Sequence, residues 1–116
     1  MLDTSAVVKS LRQNNEFSHE KISVITLLEV LRGIKDEKRT RAKKLMEEAY
    51  EVKGINNEVI LKYCMLYDSL KKSGELIPDA DLIIAATSIV GNEHLETTDS
   101  DFRRLEKLGL RVVPVL

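Results

Sequence analysis

The chain has 116 residues, of which 43% are hydrophobic and 32% are charged, with 18 basic side chains against 19 acidic ones. This length and apolar content fit a single domain over residues 1–116 and exclude a two-domain arrangement. The balanced charge excludes nucleic-acid binding through a strongly basic surface, so any such binding must use a local patch.

Cysteine content and hydropathy indicate a cellular compartment. Cys64 is the only cysteine, so no intrachain disulfide can form, which fits a reducing environment. No apolar run approaches the roughly 20 residues that span a bilayer, and the N-terminus lacks the basic and apolar segments of a signal peptide. We therefore expect a cytoplasmic protein with no membrane segment.

Short apolar segments alternate with longer helical patterns along the chain. The segments expected to form strands are residues 1–2, 22–25, 51–53, 95–97 and 111–115. The segments expected to form helices are residues 5–12, 26–34, 36–50, 57–72, 78–90 and 102–108. This alternation indicates a parallel sheet with helices on both faces. The predicted fold is therefore α/β, with three layers (α/β/α) and a central parallel five-stranded sheet, taken in the strand order 3-2-1-4-5.

Two aspartates directly follow predicted strands. Asp3 comes after the first strand and Asp99 after the fourth, and binding crevices in parallel sheets lie beyond the carboxyl ends of the strands. Each also has a structural interpretation, because Asp3 suits the N-cap of the next helix and Asp99 suits a cap or an Asx turn. Asp101 is an alternative to Asp99 as a ligand, or else the cap of the last helix.

Two further acids lie on predicted helices. The helix that Asp81 begins is apolar on nearly every face, so it is expected to be buried, and a bound cation would offset the cost of an acid there. Asp79 is the expected N-cap, which leaves Asp81 without an obvious structural role. Glu29 lies opposite the apolar stripe of its helix, and taken alone an exposed glutamate is its commoner interpretation.

The predicted sheet order brings these acids together. In the order 3-2-1-4-5 the first strand lies between the second and the fourth, so Asp3, Asp99 and the helix that carries Glu29 meet at one edge. Asp81 reaches the same crevice from the side. Clustered carboxylates repel one another and persist where divalent cations occupy the cluster. Oxygen ligands select Mg²⁺ or Mn²⁺ over Zn²⁺, and the two histidines lie outside these segments.

Two other surfaces are candidates for binding. Residues 35–44 hold six basic side chains against two acidic ones, which suits RNA phosphates, although a solvated helix face with Glu–Lys pairs is the commoner case. Further basic candidates are Arg32, Arg103, Arg104 and Lys107. Leu61 and Met65 form an apolar pair opposite the core face of their helix. They indicate a surface for a second copy or an antitoxin peptide, or else burial under the helix at 36–50.

Four short motifs carry a family resemblance. They are Leu-Asp-Thr-Ser at residues 2–5, Ile-Ser-Val-Ile-Thr-Leu-Leu-Glu-Val-Leu-Arg-Gly at 22–33, Ile-Pro-Asp-Ala-Asp-Leu-Ile-Ile-Ala-Ala at 77–86 and Thr-Asp-Ser-Asp-Phe at 98–102. Together they cover essentially the whole domain, and the sequence resembles the PIN-domain family, specifically its VapC-type toxins and their prokaryotic relatives. The first strand is shorter than in the family pattern, which leaves open a longer native N-terminus.

The resemblance implies a metal-dependent endoribonuclease, with RNA as substrate and an antitoxin protein as partner. The family's catalytic and metal-binding acids fall on four residues, Asp3, Glu29, Asp81 and Asp99. Asp101 matches an acid often found before Phe and is a further metal-binding candidate. The small polar residue that the family has beside its first aspartate matches Thr4 or Ser5, which is expected to hydrogen-bond the site.

The predicted reaction is hydrolysis of a phosphodiester with one or two Mg²⁺ or Mn²⁺ ions bound. Asp3, Asp81 and Asp99 are candidates for direct or water-bridged ligands, and Glu29 either ligates or orients the attacking water. Two rivals rank low, because a receiver domain needs a lysine before Pro114, where Val113 stands, and a dehalogenase-like phosphatase needs an aspartate two residues after the first. The remaining alternative is a non-catalytic PIN-like module that binds RNA or a protein.

Overall fold

Four short strands and six helical segments alternate along residues 1–13 and 20–115, which are the parts of the chain that the computed structural model describes. The strands are β1 (Lys21–Ser23), β2 (Glu51–Lys53), β3 (His94–Thr97) and β4 (Arg111–Pro114). The α-helices are α1 (Thr4–Arg12), α2 (Val24–Arg32), α3 (Asp36–Ala49), α4 (Asn57–Ser73) and α5 (Asp79–Val90). A 3-10 helix covers Ser100–Leu108.

The strands form two parallel pairs. Strand β1 pairs with β2, and β3 pairs with β4. Leu2 makes one parallel bridge to Ile22 in β1 and another to Glu96 in β3, so residue 2 lies between the pairs. Because Asp3 already caps α1, the predicted first strand is reduced to these two bridges. The α/β class is confirmed, whereas the strands form two short pairs and the five-stranded order 3-2-1-4-5 stays a prediction.

Two hydrophobic clusters lie on opposite sides of the strands. Met1 belongs to a cluster with the buried side chains of α4, α5 and the 3-10 helix, and Leu2 belongs to one with those of α1, α2 and α3. Neighbouring residues of an extended segment point to opposite faces. Leu95, next to Glu96 in β3, faces the first cluster, while Ile22, opposite Leu2, faces the second. Helices therefore cover both faces, as predicted.

Strand β1 ends two residues earlier than the sequence pattern predicted. The Ser23 hydroxyl accepts a hydrogen bond of 3.0 Å from the Ile25 amide, so Ser23 is the N-cap of α2 and Val24 and Ile25 lie in the helix. A serine at this position satisfies an amide that would otherwise have no partner. The predicted strand at 22–25 was therefore wrong over its second half.

The periodicity of helix α4 predicts a core face made of Val59, Ile60, Tyr63, Cys64, Tyr67 and Leu70. Most of this face is correct, since Val59 and Leu70 are buried and both tyrosines pack against the same cluster. Ile60 and Cys64 are exposed, and Leu66 is buried instead. Leu61 and Met65 are 71% and 45% exposed, so they are not buried under α3. The apolar pair is therefore a free surface in the part of the chain that the structure describes.

Three further expectations concern helix α5, the two histidines and membrane-spanning helices. Helix α5 is buried along most of its length, as its apolar sequence predicted. His94 is exposed, as expected, and His19 lies outside the described residues. Across the described ranges, no helix is both long and apolar enough to cross a bilayer.

Candidate active site

Asp3 is the most buried acid of the site. Its side chain is at the N-cap of α1 and is 3% exposed. Its Oδ1 accepts hydrogen bonds from the Ala6 amide at 2.9 Å and from the Ser5 hydroxyl at 2.7 Å, and its Oδ2 accepts one from the Thr97 hydroxyl. All three donors are neutral, so they orient the carboxylate without cancelling its charge. The predicted N-cap role of Asp3 is therefore confirmed.

Glu29 is held at the site by a hydroxyl from α1. The Thr4 hydroxyl donates to Oε1 of Glu29 at 2.6 Å and lies 3.3 Å from the Thr26 hydroxyl. The Glu29 side chain is 21% exposed, and its Oε2 lies 4.0 Å from Arg32. It is therefore not an ordinary surface glutamate, because the Thr4 hydroxyl holds its Oε1 and Arg32 forms a long ion pair with its Oε2.

Asp81 carries the largest resolved electrostatic perturbation among the described acids. Burial, and then the negative charges of neighbouring acids, together raise its pKa from 3.8 to about 6, and the acids are, in order of effect, Asp99, Glu29, Asp3 and Asp101. Carboxylates that lie close together repel one another, and a bound cation would relieve that repulsion. Asp81 thus stands within reach of all four other predicted acids.

Asp79 has a separate structural role. Pro78, rather than Asp79, occupies the N-cap position of α5, and no side chain caps that end. The Tyr63 hydroxyl donates to Oδ1 of Asp79 at 2.7 Å, and this bond raises the pKa of Tyr63 to about 12. Asp79 therefore ties α5 to α4, and the predicted N-cap was wrong, which leaves Asp81 as the acid that faces the site.

Asp99 and Asp101 are separated by their contacts. Oδ1 of Asp99 accepts from the Asp101 amide at 2.9 Å, which makes Asp99 the N-cap of the 3-10 helix. The Thr97 hydroxyl accepts from the Asp99 amide at 2.9 Å, so Thr97 links Asp99 to Asp3. Asp101 lies 3.5 Å from Arg104 in an ion pair. Asp99 therefore lies at the site itself, whereas Asp101 affects the site through its charge, which contributes to the raised pKa of Asp81.

The acids share one cavity of about 660 Å³. Its acidic lining consists of Asp3, Glu29, Asp81 and Asp99. Thr4, Ser5 and Thr98 add hydroxyl groups, and Val8, Lys9, Arg12 and Gln13 of α1 and its end line another side. Four of the five predicted acids are thus brought together, from four separate segments of the chain, and Asp101 is the one outside the lining.

The residues present fit a hard divalent cation in their chemistry. Along residues 1–13 and 20–115, no three acidic, histidine or cysteine side chains are already close enough to form a finished metal cage. The carboxylates nevertheless face one cavity, and oxygen donors of this kind suit Mg²⁺ or Mn²⁺. Burial and then the charges of the other acids raise the pKa of Asp81, and a bound cation would offset the charge repulsion. The donor set therefore fits such an ion in the chemistry of its oxygens.

Sequence reasoning missed three residues of the site. Thr97 hydrogen-bonds Asp3 and Asp99, and Lys9 and Arg12 line the cavity. Thr97 was counted as the end of a strand, but its place beside Asp99 could have indicated a supporting role. Lys9 and Arg12 follow Ser5 at spacings of four and three, which places all of them on one helix face.

The predicted basic candidates lie elsewhere. Arg103 pairs with Glu106, and Lys107 pairs with Glu75. Arg104 donates to the backbone oxygens of residues 75 and 76, so it fastens the 3-10 helix to the segment before α5. None of these three side chains lines the acidic cavity.

The cluster at 35–44 is also remote from the cavity lining. Its Arg39 donates to the carbonyl oxygens of Leu31 and Ile34 at 2.8–3.1 Å, where it caps the end of α2, and Lys43 pairs with Glu47. The cluster is therefore partly structural, as the solvated-face interpretation predicted.

Comparison with known proteins gives consistent matches along the chain. The family model of the PIN domain matches residues 1–108. The chain is 36% identical over 115 residues to Ribonuclease VapC1 of Methanocaldococcus jannaschii, covering 97% of this chain and 85% of that protein.

Solved structures match the fold over nearly the whole chain. VapBC-1 of nontypeable Haemophilus influenzae has a TM-score of 0.82 at 25% identity, covering 98% of this chain and 96% of that one. A toxin-antitoxin complex from Klebsiella pneumoniae has a TM-score of 0.72 at 21% identity, covering 97% and 93%. Together with the family model and the VapC1 relative, these matches show that the chain belongs to the PIN-domain family, as a member of its VapC type.

Proposed function

We propose that the protein is a Mg²⁺- or Mn²⁺-dependent endoribonuclease, the toxin of a type II toxin–antitoxin pair, and that it cleaves RNA phosphodiester bonds at the acidic cavity. The observation that carries the proposal is the convergence of Asp3, Glu29, Asp81 and Asp99 on one cavity, where burial and then the charges of the other acids raise the pKa of Asp81. The relative from Methanocaldococcus jannaschii is named a ribonuclease, which supports the same activity.

The hydrogen bonds of the site assign a role to each oxygen of Asp3. A carboxylate oxygen has about two acceptor directions. Among the described residues, Oδ1 of Asp3 accepts two hydrogen bonds, whereas Oδ2 accepts one, from Thr97. Oδ2 therefore keeps a free lone pair in a fixed direction, which is the geometry that a metal ligand needs. Asp81 and Asp99, which line the same cavity, would complete the set of ligands.

Glu29 is our candidate for the residue that orients and deprotonates the attacking water. Its Oε1 is occupied by the Thr4 hydroxyl, so Oε2 is the oxygen that would hold the attacking water or ligate the ion. When bound, the metal supplies positive charge and a water of lowered pKa. The protein's own contribution is to hold the carboxylates in place and to accept the proton of that water at Glu29. Asp101, paired with Arg104, would act through its charge alone.

Two protein partners accompany this proposal. Solved relatives are described as VapBC and as a toxin-antitoxin complex, so an antitoxin is the expected partner. An apolar groove of about 480 Å³ between α1, α2 and α3 offers it a surface, and Leu11 and Leu45 in that groove are exposed. The exposed face of α4 around Leu61 and Met65 suits a second copy of the chain.

We also propose that Leu2, which bridges to both strand pairs, marks the central strand of a sheet with the order 3-2-1-4-5.

The decisive experiment is cleavage of structured and single-stranded RNAs with Mn²⁺, with EDTA as one control. Wild type should cleave, EDTA should stop it, and Asp81→Asn should lower kcat/KM by more than the roughly 10–100-fold that loss of an outer-shell partner costs. Asp68→Asn, at an exposed position of α4, is the matched control and should cleave as wild type does.

Two results would contradict the proposal. Cleavage that persists in Asp81→Asn would mean that the acidic cavity is not the catalytic site. RNA binding without cleavage of any RNA in Mn²⁺ would identify a non-catalytic binding module instead.

A further inference from the structure

Helix α1 forms one wall of the acidic cavity with a single face. The residues of this helix and its C-cap that line the cavity are Thr4, Ser5, Val8, Lys9, Arg12 and Gln13. Their spacing of three and four residues places them in one stripe along the helix. The stripe begins with the hydroxyls that bind Asp3 and Glu29 and ends with two cations. The wall therefore runs from hydroxyl groups beside the acids at the start of α1 to basic side chains at its end.

Lys9 and Arg12 are the cations of the cavity lining. Lys9 is partly exposed and Arg12 is exposed. Among residues 1–13 and 20–115, neither side chain forms an ion pair of the kind that occupies Arg103, Arg104 and Lys107. Arg32 lies within 4.0 Å of Glu29 but lines a different groove. The two α1 cations are therefore positioned to meet an external anion that reaches the acids.

The distances along α1 match a nucleic-acid strand. At a rise of about 1.5 Å per residue, Lys9 lies about 9 Å and Arg12 about 13.5 Å along the axis from Asp3. The two cations are thus about 4.5 Å apart along the helix. A stacked strand carries one phosphate per about 3.4 Å of its axis. Side chains of this length can therefore contact neighbouring phosphates, two to four steps from the acidic cluster.

We propose that Lys9 and Arg12 form a phosphate-binding subsite of single-stranded RNA on the α1 wall of the cavity. This inference rests on the proposed function, because it concerns the strand whose cleavage the acids would perform. The acidic cluster repels phosphates wherever no cation covers it, and the subsite counters this repulsion on one side only. The RNA strand therefore crosses the acidic cluster in one fixed orientation, and its phosphates that lie away from the cluster bind to α1.

A purely structural role for these cations makes a different prediction. Basic side chains in the last turn of a helix stabilise it through the helix dipole, and both residues occupy the last turn of α1. In that case their neutral variants would lower the melting temperature slightly and leave RNA binding unchanged. Binding and stability must therefore be measured on the same variants.

The experiment measures the salt dependence of RNA binding by fluorescence anisotropy of a labelled single-stranded RNA. It is done in EDTA, where cleavage stops, with Lys9→Gln, Arg12→Gln and the double variant. Each single variant should reduce the slope of log K against log salt by about 0.7 and the double variant by about 1.4. Binding should weaken about threefold to tenfold per variant, to a similar extent across RNA sequences. Lys72→Gln, at an exposed position of α4, should change neither quantity.

A second readout uses the Mn²⁺-loaded protein. Since the contacts lie away from the cleaved bond, the neutral variants should raise KM for RNA and leave kcat nearly unchanged. The charge-conserving variants Lys9→Arg and Arg12→Lys should keep the wild-type slope of log K against log salt.

The possible failures are distinguishable. Unchanged slopes in the neutral variants, with RNA cleavage by wild type intact, overturn the subsite alone. A wild-type protein that neither binds nor cleaves RNA overturns the subsite and the proposed function together. Neutral variants that lose affinity for an acidic peptide but keep it for RNA would assign this surface to a protein partner and overturn the subsite.

Discussion

Replacing Asp81 by asparagine should make the metal-free protein more stable at neutral pH. The pKa of Asp81 in the folded chain is about 6 against a usual 3.8, mainly through burial and then through the charges of Asp99 and Glu29. A carboxyl whose pKa is raised by folding contributes stability that is complete below 3.8 and is lost as the pH rises through about 6. At neutral pH the charged Asp81 is therefore a net cost in the absence of metal, and Asp81→Asn removes it.

The size of this effect follows from the pKa difference. The rise from 3.8 to about 6 corresponds to about 3 kcal/mol at 1.36 kcal/mol per pKa unit. Asp81 is only partly buried, and solvent screens its charge, so we expect about 1 kcal/mol. For a domain of this size that equals about 3–5 °C in melting temperature. At about pH 5 the difference between the two proteins should fall to about half of its value at neutral pH, and it should vanish only below about pH 3.8, where Asp81 is protonated in the unfolded chain as well.

Bound metal should reverse the order of stability. Any ligand that binds only the folded state stabilises it, by about 2.7 kcal/mol at a hundredfold excess over Kd. Wild type should gain this stabilisation from Mn²⁺ at about pH 7.5, and Asp81→Asn should lose most of it.

The assay is thermal unfolding in EDTA and in saturating Mn²⁺, at both pH values, with Asp68→Asn as the control for an exposed carboxylate. The reasoning is refuted if Asp81→Asn is no more stable than wild type in EDTA at neutral pH, or if Mn²⁺ stabilises both proteins equally.

Three further substitutions test separate parts of the structure. Thr97→Val removes the buried hydroxyl that donates to Asp3, and should cost about 1–3 kcal/mol of unfolding free energy in a denaturant titration. Thr4→Val frees Glu29 from its 2.6 Å hydrogen bond, and should lower kcat for RNA cleavage about 10–100-fold with little change in melting temperature. Leu61→Ser alters an exposed side chain, so stability should change by less than about 0.5 kcal/mol, while a homodimer should dissociate in light scattering.

Each of these expectations has a control and a contradicting result. Thr98→Val, at an exposed position, should leave stability unchanged, and an equal loss in both threonine variants would show that Thr97 has no special role. Unchanged kcat in Thr4→Val would mean that Glu29 needs no fixed orientation. A destabilised monomeric Leu61→Ser protein would show that this side chain packs within its own chain.

The site could be predicted from the sequence because strand ends are marked locally. Asp3 and Asp99 each follow an apolar strand segment, and in the structure both line the same cavity. The all-apolar helix at residues 81–90 predicted burial near Asp81, which is what raises its pKa. Such features depend on short stretches of chain and on the parallel arrangement of strands. The family resemblance then selected the acids from the alternatives.

The parts that could not be predicted depend on contacts between distant segments. The exposed side of α4 depends on how that helix packs against α5, so the sequence pattern alone misassigned Ile60 and Leu66. Asp79 was taken for a cap because nothing local indicates its bond to Tyr63, sixteen residues away. Lys9 and Arg12 resembled ordinary basic residues in a last helical turn until α1 was placed beside the acids. Periodicity locates an apolar stripe but does not say which neighbour covers it.

Anomalous diffraction from crystals grown with Mn²⁺ tests the central claim most directly, since it locates the ion itself. The account predicts a peak in the cavity, within ligand distance of carboxylate oxygens from Asp81, Asp99 and Oδ2 of Asp3, and its loss in Asp81→Asn crystals. A cavity without a peak in wild-type crystals, or a peak bound only by other side chains, would contradict the claim that these acids form the metal site.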